Sequence, residues 1–375
     1  MVFTKIDNLF MQQAINLAGK GALSVKGNPL VGCVIVRDDS IIAEGYHEES
    51  GKAHAEVNAI NNAKGKGISL EGVTMYITLE PCSHYGKTPP CVNAILNSKI
   101  SKVIIGSLDP HPLVQGNGIK KLRSAGISVL VGCLEYECKK LNKGFFKKIS
   151  KGLPYVISKV AMSLDGRVAM SNGESKWITC SDSRIDVHFL RAKCDVILTG
   201  IGTILSDDPQ LNVRELPRNA KKMTISQPLI CILDARLDIP VHSKVLVGQN
   251  HVIIFCIEGL YSKSKYIALK KTGVEVVTFP NNGSTRLDIK DVLKCLVQLK
   301  DINYVMVEAG SRVVTNTILR DLVDEIHIYI APIFMGSSAL PVIDINIHSM
   351  SDKLECQFKE VANIGSDIKV ILKKG

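Results

Sequence analysis

Thr74-Met75-Tyr76-Ile77-Thr78-Leu79-Glu80-Pro81-Cys82, followed nine residues later by Cys91, decides how this chain folds. Thr74–Leu79 has the β-branched and apolar content of a buried strand. The segment Ser83-His84-Tyr85-Gly86-Lys87-Thr88-Pro89-Pro90 supplies turn formers, and a helix is expected over Pro90–Asn97. Upstream, a second helix opens at His54 and runs to about Ala63. His54 and Cys91 therefore each fall in or beside the first turn of a helix. Unpaired backbone N–H groups there present partial positive charge, which favours a thiolate. Around this centre the rest of residues 1–150 alternates helix and strand. Phe10, Ala14, Leu17 and Ala18 recur at helical spacing. Val31–Val36 and Ile41–Tyr46 form a strand pair about Asp38-Asp39-Ser40. Strand, helix and strand follow at Val103–Ser107, Gly118–Ala125 and Ile127–Val131. Such alternation predicts an α/β sheet with helices on both faces.

The same stretch carries the chemistry. His54, Cys82 and Cys91 offer one imidazole and two thiols, a set that holds zinc by three ligands and leaves a fourth position for water. Zinc lowers the pKa of that water from about 16 to about 7, giving a hydroxide at neutral pH. Glu56, two residues after His54, is spaced to work beside the metal, carrying a proton to a leaving amine. This is the equipment of a zinc-dependent deaminase, related to the His-x-Glu and Pro-Cys-x-x-Cys pattern of base deaminases. It departs from that pattern in one respect, with eight residues between the cysteines instead of two. The same donors also fit a closed structural zinc site completed by a fourth ligand such as His84.

Length and composition bound the rest. A chain of 375 residues accommodates about two domains, 1–150 and 151–375, divided at Lys151-Gly152-Leu153-Pro154. No apolar run approaches the roughly 20 residues of a membrane span, and no basic-then-apolar leader opens the chain. The eleven cysteines lie mostly in apolar strands, as at Cys33, Cys231 and Cys256, which suits buried thiols in a reducing, cytoplasmic setting. The net charge of +10 divides into +6 over residues 1–150 and +4 over the remainder. Its densest stretch, Lys139-Lys140, Lys143 and Lys147-Lys148, reads as the solvated side of a helix. With aromatic residues at only 5%, there are few platforms on which single-stranded bases could stack. Anionic small molecules, and neither nucleic acid nor membrane, are the expected partners.

Residues 151–375 are again α/β. Strands are expected at Tyr155–Met162, Val196–Thr199, Leu229–Leu233, Val252–Cys256, Val274–Phe279, Tyr304–Glu308, Glu325–Ile330 and Ile368–Leu372. Helices are expected at Ser181–Lys193, Lys265–Lys271, Ile289–Leu299 and Arg312–Leu322. Glu308-Ala309-Gly310-Ser311 leaves a strand and opens a helix whose N–H groups suit a phosphate, and Gly200-Ile201-Gly202-Thr203 repeats the suggestion. Arg214, beyond the turn Asp207-Asp208-Pro209, is suited to pairing an anion. Trp177, in the polar stretch Gly173–Trp177, is read first as core filler and second as an aromatic plate for a flat ring.

Taken together, these segments resemble the bifunctional deaminase–reductases of bacterial riboflavin biosynthesis over nearly the whole chain. The first half carries Asn28-Pro29-Leu30-Val31-Gly32, His54-Ala55-Glu56 and Pro81-Cys82-Ser83-His84 through Pro89-Pro90-Cys91. The second carries Met162-Ser163-Leu164-Asp165-Gly166-Arg167, Glu174-Ser175-Lys176-Trp177-Ile178-Thr179, Leu205-Ser206-Asp207-Asp208-Pro209 and Leu211-Asn212-Val213-Arg214. The resemblance implies a cytidine-deaminase-like α/β/α sandwich followed by an α/β domain similar to dihydrofolate reductase. It implies hydrolysis of the ring 2-amino group of a phosphoribosylated diaminopyrimidinone, then reduction of the ribosyl group to ribityl by NADPH. Zinc would be held by His54, Cys82 and Cys91, with Glu56 as proton shuttle and Asn28 and His47 near the deaminase substrate. Reductase substrate positions would be Ser175, Arg191, Leu211, Arg214 and Glu308. NADPH positions would be Ala161, Trp177, Thr203 and Asp207, with Gly310, Ser311, Arg312, Val313, Val314, Thr315 and Asn316. Ala309 and Ala235 stand where the family often has a glycine and a hydroxyl residue, with Arg236 placed to compensate for the second. The domain's apolar strands are open to homo-oligomerisation, as a dimer or tetramer. The alternatives are a deaminase with a non-catalytic C-terminal domain, or a nucleic-acid base deaminase.

Overall fold

The computed structural model describes residues 3–86, 88–112, 114–221, 223–247 and 250–374. It divides into two compact units, one of residues 1–153 with 223–226, the other of residues 154–222 and 227–375.

In the first unit the order is α1 (Lys5–Gly19), β1 (Gly32–Arg37), β2 (Ser40–Tyr46), α2 (Ala55–Gly65), β3 (Thr74–Leu79), α3 (Cys91–Leu96), β4 (Lys102–Ser107), α4 (Asn117–Ser124), β5 (Ser128–Val131), α5 (Glu135–Leu141) and α6 (Lys143–Lys151). The five strands lie in the order β2-β1-β3-β4-β5. β1 pairs antiparallel with β2 and β3, while β3, β4 and β5 run parallel. Alternate residues feed opposite faces, as a strand period of two requires. Cys33, Ile35, Met75, Ile77, Val103 and Ile105 pack with Ala59, Val92 and Leu122 of α2, α3 and α4. Val34, Val36, Tyr76 and Ile104 pack with Phe10, Met11 and Ala14 of α1 and with Cys138 of α5. Both faces are covered, which is why these strands read as continuous apolar runs. Close approach of helix to sheet explains Gly32, where a Cβ would sit 1.9 Å from the Ala14 carbonyl oxygen.

The basic stretch differs from its sequence reading. It is split between α5 and α6, and Lys148 is buried, donating to the Gly27 carbonyl at 3.1 Å. Lys148 is therefore a clamp on the loop before β1, not part of a solvated face.

The second unit continues with β6 (Tyr155–Ser163), β7 (Arg167–Ala169), α7 (Ser181–Lys193), β8 (Val196–Gly200), α8 (Ile201–Asp207), β9 (Leu229–Leu233), β10 (Val252–Ile257), α9 (Lys263–Lys271), β11 (Glu275–Phe279), α10 (Ile289–Lys300), β12 (Tyr304–Val307), α11 (Ser311–Leu319), β13 (Glu325–Ala331), β14 (Leu340–Pro341), β15 (Cys356–Ile364) and β16 (Asp367–Lys374). Nine strands form one sheet, β11-β10-β9-β8-β12-β6-β13-β16-β15. β11 through β13 in that order are parallel, and the β16–β15 hairpin adds antiparallel at the edge. The chain steps outward from β8 to β11, then returns to insert β12 between β8 and β6. That return opens a crevice at the carboxyl ends of β8, β12 and β6, where open α/β sheets bind ligands.

Candidate active sites

In the first unit, β3 ends at Leu79 and releases Glu80-Pro81-Cys82, while His54 is the N-cap residue of α2 and Cys91 opens α3. The chain thereby brings the three predicted donors together. Ligand atoms of His54, Cys82 and Cys91 all lie within 4.8 Å of one another, and among the described residues no other group of histidines, cysteines and carboxylates does this. The His54 Nδ1 lies 3.2 Å from the Cys91 Sγ and 3.6 Å from the Cys82 Sγ. One nitrogen and two sulfurs so gathered fit a tetrahedral zinc ion with one position left for solvent. His84 does not complete the set. It is exposed, and its ring stacks on His111 at 6.1 Å.

The electrostatics suit the donors' role. Hydrogen bonding from the Cys91 thiol, aided by His54 and the Cys91 backbone N–H, holds Cys82 below the usual thiol range against the effect of burial. That same hydrogen bond, then burial, pushes Cys91 up. Glu56 lies in the first turn of α2 and is buried, and burial first, then the Cys82 charge, raises its carboxyl to about 7. Asn28 and His47 also meet, with Asn28 Nδ2 3.3 Å from His47 Nε2, and the His47 ring stands edge-on to His54 at 5.2 Å. Sequence reasoning missed Asn142, a buried amide that accepts from the Leu30 N–H at 2.7 Å and donates to its carbonyl at 2.8 Å. Together with Lys148 it fixes the loop that presents Asn28. Only the pairing across 112 residues reveals that role.

In the second unit several of the predicted residues, Ser175, Arg191, Thr203, Asp207, Arg214, Glu308 and Gly310, meet in contacts beyond the carboxyl ends of β8 and β12. β12 ends at Val307, one residue before the expected end, so Glu308 lies just beyond the strand, where it takes a two-pronged contact from Arg191 of α7 at 2.8 and 2.9 Å. Arg191 also donates to the Asn212 carbonyl at 3.1 Å, and Arg214 donates to the Asn212 side chain at 3.3 Å. Lys159 of β6, which sequence reasoning missed, reaches Glu308 at 3.3 Å. Burial would raise the Glu308 carboxyl, but the charges of Arg191 and Lys159 outweigh it and hold the group far below the usual carboxylate range.

Thr203 of α8 accepts from the Gly310 N–H at 3.2 Å, and Ser175 donates to Asp207 at 3.3 Å. Gly310 is the N-cap residue of α11 and makes no side-chain cap, and a Cβ on Gly310 or Gly202 would meet nothing within 4 Å. Open space against an uncapped helix start fits the phosphates of a dinucleotide. Of the remaining positions through Asn316, all on α11, Val314 and Thr315 are buried and Arg312 is exposed, while Ala161 lies half-buried on β6. Two readings are corrected. Trp177 is not core filler, since it is 67% exposed, with the Arg184 guanidinium 4.5 Å over its ring. Leu211 is buried in the core with Ile204, Leu237 and Ile239, so its side chain does not face the crevice.

Comparison with known proteins places both units. Residues 4–107 match the cytidine and deoxycytidylate deaminase zinc-binding region, and residues 154–370 match the RibD C-terminal domain. The riboflavin biosynthesis protein RibD of Aquifex aeolicus is 40% identical over 370 residues, covering 99% of both chains. The RibD of Escherichia coli is 37% identical, covering 96% of this chain and 98% of that one. The chain belongs to the RibD family.

Solved members agree in fold. Acinetobacter baumannii RibD superposes with a TM-score of 0.90 at 40% identity, each chain covered to 99%. A Thermotoga maritima diaminohydroxyphosphoribosylaminopyrimidine deaminase/5-amino-6-(5-phosphoribosylamino)uracil reductase gives 0.85 at 35% identity, with the same coverage. RibD enzymes serve riboflavin biosynthesis by joining a zinc-dependent deaminase to an NADPH-dependent reductase, and this chain carries both domains in that order. The long inter-cysteine segment thus belongs to a cytidine-deaminase-like domain. Among the described residues no helix is long and apolar enough to cross a membrane.

Proposed function

We propose that this RibD enzyme performs two consecutive steps on one phosphoribosylated pyrimidine. The first is hydrolysis of 2,5-diamino-6-(5-phosphoribosylamino)pyrimidin-4(3H)-one at its 2-amino group. The second is reduction of the ribosyl chain of the resulting 5-amino-6-(5-phosphoribosylamino)uracil to ribityl. The observation that carries this reading is the convergence of His54, Cys82 and Cys91 beside buried Glu56, in a chain similar to RibD proteins along its whole length.

His54 Nδ1 and the sulfurs of Cys82 and Cys91 would hold zinc, which would supply a water acidic enough to act as nucleophile at neutral pH. Glu56 accepts a proton from the attacking water and delivers it to the departing nitrogen. The exocyclic bond between C2 and its amino nitrogen breaks, the water oxygen replaces that nitrogen on the intact ring, and ammonia leaves. Asn28 and His47 orient the pyrimidine. In the second unit, Arg191 and Arg214 receive the anionic phosphoribosyl group together with Ser175 and the Leu211 backbone, while Glu308 orders Arg191. Ala161, Thr203 and residues 310–316 would hold NADPH, which would supply the hydride, with Trp177 and Asp207 at its nicotinamide end. The enzyme works in the cytoplasm on small molecules, as a homo-oligomer.

The test is mass spectrometry of the diaminopyrimidine substrate after incubation with zinc-loaded protein. Without NADPH, the mass should change only by exchange of the amine for oxygen. With NADPH it should also gain two hydrogens. An unchanged substrate would overturn the first assignment, and a deaminated product that never gains hydrogen would overturn the second.

A further inference from the structure

The eight residues between Cys82 and Cys91 are the feature that the metal ligands alone leave unexplained, since two residues suffice to bring two thiols to one ion. In the folded chain this loop carries Thr88 back to the zinc-ligand histidine. The Thr88 Oγ1 lies 3.3 Å from the His54 Nε2, the ring nitrogen on the far side from both sulfurs. The Gly86 N–H donates to the Thr88 carbonyl at 3.2 Å, which braces the loop at that residue. Val92 N–H donates to the Cys82 carbonyl at 3.2 Å and Cys91 N–H to the Cys82 sulfur at 3.3 Å, so both ends of the loop are tied.

A neutral imidazole carries one proton, on one nitrogen or the other. The His54 Nδ1 faces the two thiols, so it must keep its lone pair if it is to ligate. The proton then resides on Nε2, where it needs an acceptor in a half-buried position. We propose that Thr88 is a positioning residue for the metal site. Its hydroxyl oxygen accepts from His54 Nε2–H, fixes the tautomer and ring orientation, and raises the donor strength of Nδ1. On this assignment the long loop exists to deliver that oxygen.

The proposal rests on the reading of His54, Cys82 and Cys91 as the zinc ligands, and its test separates the two. Full-length parent, T88V, T88S and H54A are each titrated with zinc against a chromophoric chelator. Valine keeps the branched shape and removes the oxygen, whereas serine keeps the oxygen. The expected result is T88V binding zinc about 10- to 100-fold more weakly than the parent, the usual effect of losing such a partner. T88S should stay within about threefold, and H54A should lose tight binding altogether. Zinc binding in T88V equal to the parent would overturn the role of Thr88 while leaving the ligand assignment standing. Equal weakening in T88V and T88S would also overturn it, because packing and not the oxygen would then be responsible. Tight binding in H54A would overturn the ligand assignment and Thr88 with it. Melting curves of the zinc-free proteins, expected to coincide for parent, T88V and T88S, separate a local effect from misfolding.

Discussion

The two catalytic regions of this chain are assembled in opposite ways. The candidate metal donors are drawn from a short span, with His54 and Cys91 separated by 37 residues and both held at helix starts. The reductase crevice is built from distant pieces, with Arg191 and Lys159 reaching Glu308 across 117 and 149 residues. In the first region, function depends on neutral and thiolate donors whose spacing is written locally. In the second it depends on a balance of buried charge that exists only once β6, α7 and β12 have come together. Local spacing yields a motif, whereas a charge balance yields scattered residues that acquire meaning from their partners.

The largest effect should come from separating the two regions chemically. Glu56→Gln keeps the shape of the side chain but cannot accept a proton, so ammonia release should fall about 100- to 10,000-fold, the usual worth of general acid–base catalysis. Zinc should remain near one per chain, and NADPH oxidation with the deaminated substrate should be unchanged. Residual deamination within tenfold of the parent would show that Glu56 does not move the proton.

A smaller but still large effect should follow from Glu308→Gln. The substitution leaves Arg191 and Lys159, each no more than 15% exposed, facing one another without a counter-charge. Breaking a buried charge cluster from one side costs about 3 kcal/mol or more. Urea denaturation should register that loss, and reductase turnover should fall while ammonia release persists. An unchanged denaturation curve would mean that solvent already screens the cluster.

What the sequence disclosed follows the same division. Thr74–Leu79, Ser181–Lys193 and Leu229–Leu233 are strands and a helix with the very bounds that periodicity predicts, because each buries a regular apolar pattern. The edge strand β15 was not legible. Most of its residues are exposed, Phe358 and Val361 among them, so no core imposes a pattern on it. The three candidate zinc donors were legible because Cys82 follows a regular buried strand and His54 and Cys91 lie at signalled helix starts. Lys159 was not, since a lysine in an apolar strand becomes interpretable only beside Glu308. Lys148 and Trp177 were misread for a related reason. Composition assigns a lysine to solvent and a tryptophan to core, but Gly27 accepts from one and Arg184 covers the other.

The finest test of the comparison is a pH dependence confined to the charge-balanced region. His188 lies one turn before Arg191 on α7 and is buried. Burial, and then the positive charges of Arg191 and Arg214, push its imidazole down to about 4 from the usual value of 6.5. In the unfolded chain the same ring takes up a proton near pH 6.5, whereas the folded ring stays neutral until about pH 4. Stability from this group is therefore complete above pH 6.5, declines as pH falls from 6.5 towards 4, and is level below that. Between pH 7.5 and 4.5 the parent should lose about 2 kcal/mol that His188→Gln does not lose. Carboxylates such as Glu308 and Asp367, held below their ordinary values, weaken the fold only at lower pH and do so in both proteins. Parallel stability curves for parent and variant across this window would show that His188 is protonated equally in the folded and unfolded chain.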